Sequence, residues 1–183
     1  MAKPQPSLAP EWRVARWFNT DENPSLASLR GRVVVLHAFQ MLCPGCVSHG
    51  LPQAQRIHDM FDAADVAVIG LHTVFEHHGV MTPPALEAFI HEYRWSFPIG
   101  VDLPDDPAGL PHTMRTYAMR GTPSLILIDR AGVLRKNSFG REDDLRVGAE
   151  IAFLVSEKSE RRQSAAPASG PSAAACTPDG CPV

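Results

Sequence analysis

Apolar residues recur along this chain in two rhythms. The run Val33-Val34-Val35-Leu36-His37-Ala38-Phe39 and the stretch 65–71 around Val66-Ala67-Val68-Ile69 are near-continuous, the pattern of strands buried on both faces. Between them, Leu51, Ala54, Ile57 and Phe61 fall three and four apart and predict a helix over 44–62 with Pro52 as its kink. Leu86, Phe89, Ile90 and Tyr93 repeat that helical spacing from Pro83 to about Trp95, behind Thr82 as N-cap. A short strand is expected over 97–101, a polar, Pro-rich loop over 102–111 and a short helix over 112–118. Strands 124–129 and 133–139 flank Asp129-Arg130-Ala131-Gly132, a hairpin signal, and a last helix follows over 142–157.

Upstream, residues 11–19 read as an edge strand or a lid with buried tryptophans, and 23–31 as a turn and helical step stopped by Gly31. Parallel strand and helix units followed by an antiparallel hairpin predict an α/β domain, a mixed sheet flanked by helices. Its expected limits are 11–157. Residues 1–10 are Pro-rich and expected to be disordered. Residues 158–183 read as a flexible tail, because Ser164-Ala165-Ala166-Pro167-Ala168-Ser169-Gly170-Pro171 cannot bury a core.

Composition narrows the picture only slightly. With 183 residues, 44% hydrophobic, the chain can build a sizeable core. A formal charge of -3 with interspersed signs gives no surface for nucleic acid or for a membrane. No apolar run of signal-peptide length follows Met1-Ala2-Lys3-Pro4-Gln5-Pro6, so the expected location is cytoplasmic, or periplasmic only if a leader was removed. Four cysteines in a reducing compartment point to catalysis or metal binding before a structural framework.

Two of those cysteines stand in Cys43-Pro44-Gly45-Cys46, just after the first buried strand and at the start of a helix. Unpaired amides and the positive end of the helix dipole stabilise a thiolate there. Pro44 suits the first turn, where its missing N–H has no partner to lose. The motif is that of a thiol:disulfide oxidoreductase.

With Leu26-Ala27-Ser28-Leu29-Arg30-Gly31-Arg32 leading into the first core strand, and Gly121-Thr122-Pro123 about 77 residues after the cysteines, the sequence resembles the thioredoxin-like superfamily over residues 12–155. Within it, the likeness is to the redoxin branch of cytochrome-maturation thioredoxins and peroxiredoxins. The resemblance implies a thioredoxin-like fold in which Cys43 attacks, Cys46 resolves and a cis Thr122–Pro123 bond abuts the dithiol. Pro44, Gly45 and Thr122 would then meet the substrate, and protein disulfides or dithiols are the implied partners, with an upstream reductase as electron donor and no cofactor. Thioredoxins carry a buried carboxylate six residues before the first cysteine. Here that position is His37, whose imidazole is a candidate proton relay for Cys46, or else a core histidine.

Two other chemistries stay open at this stage. A peroxiredoxin-like peroxidase shares the fold, but its threonine and proline positions are Gln40 and Leu36, leaving Arg120 as the stand-in for a distant arginine. A thiol-based metal protein would draw on Cys43, Cys46, Cys176 and Cys181, with His72, His77 and His78 nearby, yet the spacing matches no common zinc pattern and no metal ligands are assigned. Cys176 and Cys181 flank Thr177-Pro178-Asp179-Gly180, a turn signature, and form a possible second dithiol. Counted from residue 158, a linker of about 18 residues spans roughly 21–25 Å, enough to reach Cys43.

Overall fold

The computed structural model describes residues 7–105 and 109–164. Six strands form one mixed sheet: β1 (Val14–Phe18), β2 (Val33–Phe39), β3 (Val66–His72), β4 (Ile99–Asp102), β5 (Ser124–Ile128) and β6 (Leu134–Phe139), in the order β1-β4-β3-β2-β5-β6. β2 runs parallel to β3 and antiparallel to β5, with Val33 opposite Val66 and His37 opposite both Gly70 and Leu125. Every residue of β2 and β3 is buried, as their continuous apolar runs require. Helices α1 (Leu51–Met60), α2 (Pro83–Tyr93), α3 (His112–Thr116) and α4 (Asp144–Ser164) cover the two faces.

Alternation along β2 assigns the faces. Val33, Val35 and Phe39 pack with Leu51, Ala54, Ile57, Leu86, Val147 and Ile151 from α1, α2 and α4. Val34, Leu36 and Ala38 point the other way, onto Trp12, Leu26, Met114 and Tyr117. The sheet is therefore the middle of a layered sandwich, and the segment after β2 emerges at its carboxyl edge between the loops that follow β3 and precede β5.

Of the stretch 1–10 expected to be disordered, residues 1–6 lie outside the described residues, and the remainder differs from that expectation. Ser7 to Pro10 dock on the hairpin, where Ala9 N–H donates to the Gly132 carbonyl at 2.8 Å, Leu8 bridges Val133 and Ala9 is buried. These backbone bonds extend the sheet at its start, which a Pro-rich composition does not reveal. β1 is the expected edge strand. Trp12 is buried, its indole N–H donating to the Pro24 carbonyl at 2.8 Å, while Trp17 is only half-buried.

Helix limits follow their caps. Thr82 accepts the Ala85 N–H at 3.4 Å ahead of Pro83. Thr82→Ala should lower stability by about 1 kcal/mol, read as a melting temperature reduced by about 3 °C. An unchanged melting temperature would show the cap to be energetically silent. α4 begins two residues later than expected because Asp143 accepts the Arg146 N–H at 3.1 Å. It also continues to Ser164, past the expected domain limit of 157. Lys158-Ser159-Glu160-Arg161-Arg162-Gln163 carries no apolar stripe but consists mostly of good helix formers.

Asp102, assigned by sequence to the start of a polar loop, instead ends β4 and is buried. Its carboxylate accepts from Thr113 N–H (2.9 Å), Met114 N–H (3.0 Å) and the Thr73 hydroxyl (3.0 Å). It thus caps α3 from a distance, where the helix's own flanking residue, Pro111, offers no side-chain acceptor. Among the described residues, no helix is long and apolar enough to cross a membrane.

Candidate active site

After β2 the chain turns through Gln40 to Leu42, the Cys43 N–H donating to the Gln40 carbonyl at 3.2 Å. Cys43 is partly exposed at the start of the helix, whereas Cys46 is fully buried one turn on. Their sulfurs are paired as a disulfide across a Cα separation of 5.2 Å, within the range a bridge spans without backbone movement. The Cys46 N–H points at Cys43 Sγ at 3.2 Å, and the Val47 N–H donates to the Cys43 carbonyl at 3.1 Å. A sulfur at position 43 therefore sits where the helix presents its unpaired amides.

The loop before β5 closes the other side. The Thr122–Pro123 peptide is cis, and the Thr122 carbonyl oxygen lies 3.5 Å from Cys43 Sγ. Pro123 is held by the Gly140 N–H on its carbonyl at 2.8 Å, and Ser124 Oγ donates to the Gly121 carbonyl at 2.7 Å. Pro44 and Gly45 are exposed beside Cys43. Cys43, Cys46, Pro44, Gly45, Thr122 and Pro123 thus come together at the start of this helix.

Between Gly45 and α1 the helix is not α-helical. Residues Cys46–Gly50 form a π-turn, in which the Leu51 N–H bonds back five residues to the Cys46 carbonyl. With no N–H, Pro52 denies the Ser48 carbonyl its α-helical donor, and the hydrogen-bond register changes just before it. Helical periodicity carries no signal for such a turn.

His37 lies beneath this helix on the α1 side of the sheet, fully enclosed, with neither ring nitrogen hydrogen-bonded. Burial, with a smaller contribution from neighbouring His49, pushes its pKa down to about 4. The imidazole is accordingly neutral at pH 7 and a weaker base than the unperturbed value anticipated. His49 itself tethers the π-turn to the start of α4, its ring nitrogen 2.7 Å from the Glu142 carbonyl, and Gln53 reinforces this by donating to the same carbonyl and to Asp144.

Several other sequence candidates fall elsewhere. His72 is not a loop residue but the last residue of β3, buried against Phe39 with ring centroids 5.3 Å apart, and desolvation pushes its pKa down to about 4. His77 and His78 are exposed, and among the described residues no group of three or more histidine, cysteine or acidic side chains is placed to hold a metal. Gln40 is a residue that sequence reading noted only for what it lacks. Its side chain accepts from Phe75 N–H and donates to Glu76, fastening the loop after β3 to the turn before Cys43. Arg120 lies over the Phe139 ring, 5.5 Å from its centroid. Cys176 and Cys181 lie outside the described residues.

This geometry belongs with a recognisable set of proteins. Residues 7–137 match the AhpC/TSA family. The chain belongs to the AhpC/TSA family. Among solved structures, the thioredoxin-like superfamily protein SPOA0173 is 58% identical, with 81% of this chain and 96% of that one covered and a TM-score of 0.79. A thiol-disulfide isomerase from Corynebacterium glutamicum is 51% identical over 83% of this chain and 97% of its own, also with a TM-score of 0.79. A DsbE-type thiol:disulfide interchange protein from Chlorobium tepidum, at 21% identity and a TM-score of 0.62, shares the fold. No curated protein matches the chain. This AhpC/TSA chain is therefore a redoxin of the thioredoxin-like superfamily and, at that level, an oxidoreductase with a closely paired Cys43 and Cys46.

Proposed function

We propose that this redoxin is a thiol:disulfide oxidoreductase that reduces protein disulfides through Cys43 and Cys46. The supporting observation is their asymmetry: Cys43 is partly exposed at a helix start, and its partner is fully buried within bonding range. In the reduced protein, the Cys43 thiolate attacks one sulfur of a substrate disulfide and the other leaves as a thiolate. Cys46, once deprotonated, attacks Cys43 Sγ and expels the captured sulfur. Two electrons pass from the dithiol to the substrate, the two thiol protons end on the released substrate sulfurs, and Cys43–Cys46 closes. An upstream reductase or small dithiol must then reopen it.

In this reading the exposed Pro44 and Gly45 and the backbone at Thr122 and Pro123 contact the substrate chain. His37 serves as a neutral, uncharged neighbour beneath the helix; with its pKa near 4, a proton leaving Cys46 at neutral pH passes to the departing thiolate or to water. A peroxidase reading is disfavoured by the side chain of Gln40, whose amide is committed to Phe75 and Glu76 at the position where peroxide activation needs a hydroxyl.

The test is reduction of insulin disulfides with dithiothreitol as electron source, alongside iodoacetamide labelling of the reduced protein at pH 7. Acceleration over dithiothreitol alone is expected, with Cys43 alkylated well before Cys46. No acceleration, or equal labelling of the two sulfurs, would overturn the proposal.

A further inference from the structure

The Pro123 ring lies against the backbone of two glycines. A Cβ placed on Gly45 would meet Pro123 Cδ at 3.3 Å, and one on Gly50 would meet Pro123 Cβ at 3.2 Å, both tighter than ordinary van der Waals contact. The same Gly50 Cβ would stand 3.7 Å from His37 Nδ1 and 3.9 Å from the Gly45 carbonyl oxygen. Gly50, Pro123 and His37 therefore share one small volume, and Gly45 closes it from above.

Gly45 and Gly50 are five residues apart. In an α-helix such residues project roughly 140° away from each other. Across a π-turn, whose hydrogen bond closes at five residues, they stack. The turn over Cys46–Gly50 is what brings both glycines to the Pro123 side, and Pro52 just beyond marks its end. Its ends are also tied down: the Leu51 N–H holds the Cys46 carbonyl, and His49 is fixed to Glu142. Neither glycine carries a left-handed φ, so the requirement here is space.

The geometry points to Gly50 as a positioning residue for the dithiol: the π-turn and its two glycines form a notch that seats Pro123, and thereby Thr122, at the height at which Cys43 meets its substrate. This rests on the thiol–disulfide reading above and adds the residue that sets its geometry. A methyl group at Gly50 must lift Pro123 by a few tenths of an ångström or straighten the turn, and the first displaces the Thr122 carbonyl from Cys43.

The experiment is a double-mutant cycle of Gly50→Ala and Pro123→Ala with two readouts: kcat/KM for insulin reduction and the equilibrium constant of the Cys43/Cys46 pair with glutathione. Gly50→Ala alone is expected to lower kcat/KM roughly tenfold or more, the scale of a displacement of under 1 Å at a reacting group, and to move the glutathione equilibrium at least about threefold. In the Pro123→Ala background the same substitution should add less than about twofold to either. Equal losses in both backgrounds, or a Gly50→Ala protein indistinguishable from the parent, would overturn the notch. Should Gly50→Ala fail to fold, Gly45→Ala on the exposed first turn takes its place in the cycle, with the same non-additivity expected and its absence counting against the proposal. The glutathione equilibrium is readable whatever the physiological substrate, so failure of the parent to reduce insulin would undo the functional reading while leaving the notch to stand or fall on its own measurement.

Discussion

Replacing Cys46 with serine leaves a protein that captures a substrate disulfide once and then stalls. Cys43 is partly exposed and receives the Cys46 amide, so attack on insulin proceeds, but the buried position that should expel the captured chain holds a hydroxyl. A serine oxygen does not displace sulfur under these conditions, and release falls to the slow attack of an external thiol. Turnover should drop roughly a hundredfold or more, equivalent to about 2.7 kcal/mol of barrier, and a Cys43-linked mixed disulfide should accumulate on a non-reducing gel. Cys43→Ser should turn over no faster than background and trap nothing, because Cys46 is shielded by the helix it belongs to. A trapped adduct on Cys46 in Cys43→Ser, or near-normal turnover in Cys46→Ser, would reverse or remove the assigned roles.

That division of labour was only half visible in the sequence. The helix start and the two-residue gap between the cysteines follow from Pro44, Gly45 and the apolar run before them, because local chemistry decides both. Which sulfur is buried depends on packing against Phe39, Leu51 and Ala54, and no spacing rule encodes it. The central strands were equally legible: 33–39 and 65–71 are apolar throughout because both of their faces are covered.

What escaped were features made by contacts distant in sequence. Asp102 looks like a loop residue until Thr73, Thr113 and Met114 are seen to surround its carboxylate. His72 continues the apolar run of β3 by one position, but a histidine after Leu71 reads as the first polar residue of a loop. Gly50 stands mid-helix, where glycine is merely unfavourable by propensity, and only the approach of Pro123 supplies a reason for it. Local preference and global packing disagree at these positions, and one of them, Gly50, packs against Pro123 beside the dithiol.

The same hidden packing makes the domain sensitive to acid. His37 and His72 are enclosed, without hydrogen bonds to either ring nitrogen, and burial holds both near a pKa of about 4, against 6.5 for an unperturbed imidazole. A depressed folded pKa means that the unfolded chain binds more protons between those values. The stability each neutral ring preserves is full above pH 6.5 and is lost as pH falls toward 4. At about 1.4 kcal/mol per unit, each histidine costs on the order of 3 kcal/mol across the window, and two together approach the whole stability of a typical domain, about 5–15 kcal/mol. Asp102 works in the opposite sense, since burial raises its pKa and protonation on acidification favours the folded form. Guanidinium titrations from pH 7.5 to 4.5 should therefore show the midpoint falling steeply. The double variant His37→Leu/His72→Leu, which replaces two unpaired rings by apolar side chains of similar size among apolar neighbours, should match the parent within about 1 kcal/mol at pH 7.5 and exceed it by on the order of 5 kcal/mol at pH 4.5. Parallel pH dependences for the two proteins would mean that the buried imidazoles find water or a proton partner on acidification, and that the acid limb belongs to carboxylates instead.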